Sequence, residues 1–166
     1  MEQLKSWSFT QVLSKLERMP IYWYIPLAYL TLCALLFPVG QLTDWLNISD
    51  KTVNAQDIPR TIWNKYLIAV LAAPILETFI CQALPFYFLS IFQFFRRRVW
   101  IIILSSSIGF GLAHDFSTQF SIHATIVGFI LISTYIIRTK NKDPFLCTYL
   151  LHAFYNFMAI TLSLIN

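Results

Sequence analysis

The side chains that could do chemistry in this sequence are few: Glu77, His114, His123, His152 and Asn156, each set in or at the edge of an apolar run. Glu77 lies in "APILETFICQ", residues 73–82, inside a stretch from Tyr66 to Phe95 with no other charge. Placing an ionisable group at membrane depth costs about 2.5–3.5 kcal/mol on insertion scales, and such groups usually mark function. No Lys or Arg lies within the apolar runs to pair with it. A carboxylate so placed suits proton chemistry, as a general base or as a member of a relay. His152 and Asn156 are four residues apart, which on a helix puts them on one face. Phe110 and His114 share that spacing, setting an aromatic ring beside an imidazole. Thr78 and Gln82 repeat it beside Glu77, a small hydrogen-bonding edge. His123, near a run's end, reads as a hydrogen-bonded packing residue. Asn156 by itself needs to do no more than make a helix–helix hydrogen bond, contributing about 0.6–2 kcal/mol.

The elements that must position these groups follow from composition. Of 166 residues, 57% are hydrophobic and 12% charged, against about 45–50% and about 25% in globular chains. The excess apolar surface faces lipid, so the expected partner is a bilayer. The net charge of +4 is carried in short clusters between apolar runs, the pattern of membrane topology and not of a nucleic-acid-binding face. Cys33, Cys81 and Cys147 each lie in an apolar run without a CxxC pair, and read as packing residues. Five apolar segments are expected to be helices: Ile21 to Val39, Tyr66 to Phe95, Val99 to about Ala113, Phe120 to Ile137 and Phe145 to Ile165. A span needs about 20 residues, so the third is short. The second holds Pro74 and Pro85, which predict a kink or tilt.

The fold class expected is thus an all-α, polytopic membrane bundle, a single domain over 1–166 with a polar loop from Gln41 to Asn64. Leu4, Trp7, Val12, Leu13 and Leu16 form one face of a segment within residues 1–20, expected to lie as a helix at the cytoplasmic interface. With five spans, Lys5, Lys15, Arg18, Arg96, Arg97, Arg98, Arg138, Lys140 and Lys142 fall on one side, and Lys51, Arg60 and Lys65 on the other. That asymmetry puts the N-terminus in the cytoplasm of a plasma-membrane protein. At 1.5 Å per residue, Glu77 and His152 come to nearly the same depth, with His114 roughly 10 Å nearer the outer face. Three helices can then bring a carboxylate, two imidazoles and a carboxamide to one cavity.

Three motifs in order resemble the CPBP family, the CAAX-protease and bacteriocin-processing (Abi) membrane proteins. "APILETFICQ" matches its Glu-Glu-x-x-x-Arg motif, "FGLAH" its Phe-x-x-x-His and "HAFYN" its His-x-x-x-Asn, over about residues 66–160. The first motif departs from the pattern: Thr78 stands for the second glutamate and Gln82 for the arginine, so one charge of each sign is lost together. A neutral Thr78–Gln82 contact is the expected replacement for an ion pair. The resemblance implies a bacterial intramembrane endopeptidase acting on membrane-associated peptides or precursors. In that scheme Glu77 is the general base, His114 binds and polarises the water, and His152 and Asn156 donate to the oxyanion. It also offers Glu77, His114 and His152 as three ligands to Zn²⁺, although the general-base scheme needs no metal. A second reading within the family is a non-catalytic bacteriocin self-immunity protein that acts by occupying a partner. A proton-coupled transporter is disfavoured by the lack of an inverted repeat.

Overall fold

The structure is a computed structural model that describes residues 9–48 and 61–165. All regular structure among these residues is helical. Helix α1 is Phe9–Arg18, α2 Ile21–Trp45, α3 Ile62–Ser90, α4 the short Gln93–Arg96, α5 Val99–Ala113, α6 Thr118–Arg138 and α7 Pro144–Ile165. Helices α2, α3, α6 and α7 are long and apolar enough to cross a bilayer, while α5 is a shorter apolar helix. This is the polytopic helix bundle expected, with its third span short. The apolar pattern is inverted relative to a water-soluble protein. Leu30, Phe37, Leu71, Leu76, Phe79 and Phe88 are exposed on α2 and α3, whereas Thr43, Thr78, Gln82, Ser106, Thr134, Thr148 and His152 are buried.

The polar loop expected from Gln41 is shorter than its composition suggests, because α2 continues to Trp45. Gln119 holds that last turn, donating from Nε2 to Thr43 Oγ1 at 3.1 Å and to Asp44 Oδ1 at 3.0 Å. The next helix also begins early, at Ile62, where the Thr61 side chain accepts from the Asn64 N–H. In the other direction, the second apolar run breaks before Phe95: α3 stops at Ser90 and Phe92 is extended ahead of α4. A helix is present in the segment expected to lie at the interface, as α1, Phe9–Arg18. Its Val12 and Leu16 line a groove with Tyr24, Thr134 and Ile137, while Leu4 and Trp7 lie outside the described residues.

Pro74 and Pro85 act on α3 through backbone register. Each follows a π-helical stretch, Leu67–Ala72 and Thr78–Ala83. A proline has no N–H and its ring displaces the carbonyl four residues back, so the preceding turn widens. The N–H of Ala73 therefore reaches Ile68 and that of Leu84 reaches Phe79, five residues back in both cases. Carbonyls bypassed by this shift are met by neighbouring helices. Ser106 on α5 donates to the Cys81 carbonyl, to which an α-helical Pro85 would have owed an N–H. Ser106→Ala is expected to destabilise the protein by about 1–2 kcal/mol in detergent melts, since a buried acceptor loses its donor. Ser107→Ala is expected to do less, because Ser107 bonds a carbonyl of its own helix, that of Ile103.

Helix α6 is the centre of the bundle. Phe110, Ala124, Val127, Ile130, Leu131, Leu32 and Leu151 form one buried cluster drawn from α2, α5, α6 and α7. Helices α5 and α6 approach closely enough to need glycine twice. A Cβ on Gly111 would lie 1.9 Å from Thr125 Oγ1 and 2.8 Å from the Ser121 carbonyl, and one on Gly128 would lie 2.9 Å from Phe110 Cβ. Small residues at such crossings are the usual means of tight packing in lipid.

Side-chain contacts fix which helix ends share a side. At one end Arg138 reaches the carbonyls of Met19 and Glu17 and pairs with Asp143, while Phe86 packs on Tyr135. At the other, Gln119 meets α2 and Tyr66 on α3 bonds Thr161 on α7 at 3.0 Å. The basic clusters around Arg18, Arg96 and Arg138 thereby gather at one end of the bundle, as the charge asymmetry anticipates.

Candidate active site

Glu77 sits on the α-helical turn Ala73–Glu77 between the two π stretches. Both imidazoles converge on one of its oxygens: His114 Nε2 lies 3.6 Å and His152 Nε2 3.4 Å from Oε2. The roughly 10 Å offset in depth expected for His114 is not observed, although α5 covers the apolar run expected for it. Its last helical residue is Ala113, and His114 leaves the helix at φ −108°, ψ 49°. The His114 carbonyl then accepts from Ser121 Oγ at 3.2 Å, tying the turn to α6.

Tautomers follow from the partners. His114 Nδ1 is 2.8 Å from the Phe110 carbonyl, which can only accept, so Nδ1 carries the hydrogen and the neutral ring turns a lone pair toward Glu77. At 3.6 Å that pair is too long for a direct hydrogen bond and suits a shared water. Phe110 is buried between the two imidazoles, 4.4 Å from the His114 ring and 5.6 Å from that of His152, edge-on to the latter. The aromatic wall predicted from sequence therefore serves both histidines, and Gly128 makes room for it.

Asn156 donates from Nδ2 to the Ala69 carbonyl at 2.7 Å. That carbonyl is stranded by Pro74: in α register its donor is Ala73, which bonds Ile68 instead, and in π register it is the proline itself. One amide hydrogen of Asn156 thus bridges α7 to the kink of α3, and the second remains for another acceptor. Thr78 and Gln82 are both fully buried, but neither side chain has a hydrogen-bond partner among the described residues. No hydrogen bond therefore joins Thr78 to Gln82 in place of an ion pair; the π turn Thr78–Ala83 spaces the two residues differently from an α turn.

Glu77, Phe110, His114, His152 and Asn156 line one cavity of about 280 Å³, which also takes in Phe120, His123 and Tyr155. His123, read from sequence as packing, bonds the Gln119 carbonyl through Nδ1 at 2.8 Å and still forms part of the wall. It belongs to none of the three motifs, so only the tertiary packing of α6 reveals its place there. As the side chains stand, no three His, Cys, Asp or Glu groups among the described residues are placed to hold a metal ion; the Glu77 oxygen of the Zn²⁺ set lies 3.6 and 3.4 Å from the nitrogens of His114 and His152. The three cysteines are free.

A family model described as type II CAAX prenyl endopeptidase Rce1-like matches residues 59–158. The chain belongs to this family, the CPBP family of membrane CAAX proteases. The match covers all three motifs and most of the four helices that line the cavity. With its apolar helices it makes the chain a multi-pass membrane protein of a protease family. No curated protein and no solved structure matches the chain.

Proposed function

We propose that this CPBP-family chain is an intramembrane peptidase that hydrolyses peptide bonds in membrane-associated peptides or precursors, with Glu77 as general base. The observation that carries the reading is the convergence of two imidazole Nε2 atoms on one half-buried carboxylate oxygen, at 3.4 and 3.6 Å. A water between Glu77 and His114 donates one hydrogen to each acceptor, which turns its lone pair toward the cavity. The water oxygen attacks the scissile carbonyl as Glu77 takes its proton. His152 Nε2–H and the second amide hydrogen of Asn156 are the donors for the oxyanion, where one donor contributes about 2.7–4 kcal/mol. Collapse breaks the C–N bond, and the proton passes from Glu77 to the leaving amine. The basic end of the bundle, with Arg18, Arg96 and Arg138, faces the cytoplasm, so the N-terminus is cytoplasmic.

The test uses the full chain purified into liposomes with membrane-anchored peptides, products being identified by mass spectrometry. Wild-type protein is expected to release a new amine terminus, and His114→Ala to slow that release about 10²-fold with unchanged membrane levels. Activity lost to a chelator and restored by Zn²⁺ would contradict the metal-free scheme. The neutral Thr78 and Gln82 favour one second reading, a non-catalytic immunity protein that binds a partner. Protection against a bacteriocin that survives both Glu77→Gln and His114→Ala is its signature.

A further inference from the structure

On the basic-end side of the Glu77–His152 contact lie polar atoms that no group among the described residues satisfies: Thr78 Oγ1, Gln82 Nε2 and Oε1, Thr148 Oγ1 and His152 Nδ1. Thr78, Gln82 and Thr148 are 0% exposed and His152 is 2% exposed. A buried primary amide with no hydrogen bond is costly, and buried polar atoms without a protein partner are met by ordered water.

Their placement is common. Helices α3 and α7 run antiparallel and pack along the second π stretch, with Glu77 and His152 in contact at 3.4 Å. From that contact Gln82 lies five residues toward the C-terminal end of α3, and Thr148 four residues toward the N-terminal end of α7. These are the same end of the bundle. At 1.5 Å per residue the two side chains sit about 7.5 and 6 Å beyond the contact, and the His152 ring leans toward Thr148 because helical side chains tilt toward the N-terminus.

We infer that Thr78, Gln82, Thr148 and His152 enclose a buried hydration site, and that Gln82 is a positioning residue for His152 acting through that water. With the Glu77 oxygen 3.4 Å from Nε2 and able to accept, the tautomer that this site favours carries its hydrogen on Nε2 and leaves Nδ1 as an acceptor. A water that accepts from the Gln82 amide and donates to Nδ1 holds this tautomer, with the two hydroxyls as its further partners. Such a water has three to four polar partners, the number usual for internal water. The inference about catalysis rests on the peptidase reading; the hydration site and the tautomer do not.

The experiment is ¹⁵N NMR of the full chain with labelled histidine in nanodiscs, His152 being assigned by its loss in His152→Asn. Wild type is expected to show His152 protonated at Nε2 with a hydrogen-bonded Nδ1. In Gln82→Met and in Thr148→Val the Nδ1 resonance is expected to move toward that of a free imidazole nitrogen, with His114 unchanged. Where hydrolysis is measured, kcat is expected to fall about tenfold at constant KM. A wild-type His152 protonated at Nδ1 overturns the inference, whether or not either variant folds. So does an unchanged His152 spectrum in either folded variant. A chain that hydrolyses nothing yet shows the expected spectra sinks the peptidase reading and leaves the hydration site standing.

Discussion

Glu77→Gln is expected to slow peptide hydrolysis about 10³-fold or more, within the range that a positioned general base supplies. The substitution keeps the shape of the side chain and removes only its ability to take a proton. Stability is expected to hold, because the carboxylate contributes no short hydrogen bond: its two nearest partners are imidazole nitrogens at 3.4 and 3.6 Å. Steady-state rates, together with melting of the purified protein, separate the two effects. Glu77→Asp withdraws the carboxylate by one methylene from both rings and is expected to fall between wild type and the glutamine variant. Full activity in Glu77→Gln would remove the general base from the mechanism.

The largest loss of stability is expected from Arg138→Met. Arg138 is 2% exposed, makes a two-pronged pair with Asp143 and donates to the Met19 carbonyl at 2.6 Å and the Glu17 carbonyl at 3.3 Å. One guanidinium thus joins α1, the end of α6 and the start of α7. Removing it leaves a partly buried carboxylate and the Met19 carbonyl without their donor, for which about 3–5 kcal/mol is typical. Lys140 and Asn141 also reach Glu17, but Lys140 is exposed, and surface pairs contribute little. Reversible unfolding in mixed micelles measures the loss, and faster trypsin cleavage at Arg18 reports release of α1. Arg138→Lys keeps the charge without the fork and is expected to recover only part.

Scarcity of charge makes the site legible from sequence. In a chain 12% charged, Glu77 and the histidines stand out, and both four-residue pairs, Phe110–His114 and His152–Asn156, line one cavity, although His114 itself lies just past the end of its helix. Spans α5, α6 and α7 fall within about two residues of their apolar runs, since charges or turn residues bound them. What composition and spacing conceal lies on α3. Two π stretches break the 3.6-residue period there, so the relation of Thr78 to Gln82 cannot be read from spacing. The commitment of Asn156 to Ala69 is equally hidden, because it depends on which carbonyl Pro74 strands. The extension of α2 past Gly40 rests on Gln119, some 75 residues away, and no local pattern encodes it.

The brevity of α5 has a consequence for how a hydrolase could work where water is scarce. Fifteen residues rise only about 22 Å, against about 30 Å of hydrocarbon. A helix of that length leaves several ångströms of hydrocarbon to be crossed by other means, and non-helical backbone at membrane depth survives only beside protein or solvent. On the peptidase reading, the space that the missing turns of α5 vacate beside the cavity of Glu77 and His114 is the route by which water reaches the carboxylate, so the fold admits its own reagent by omission.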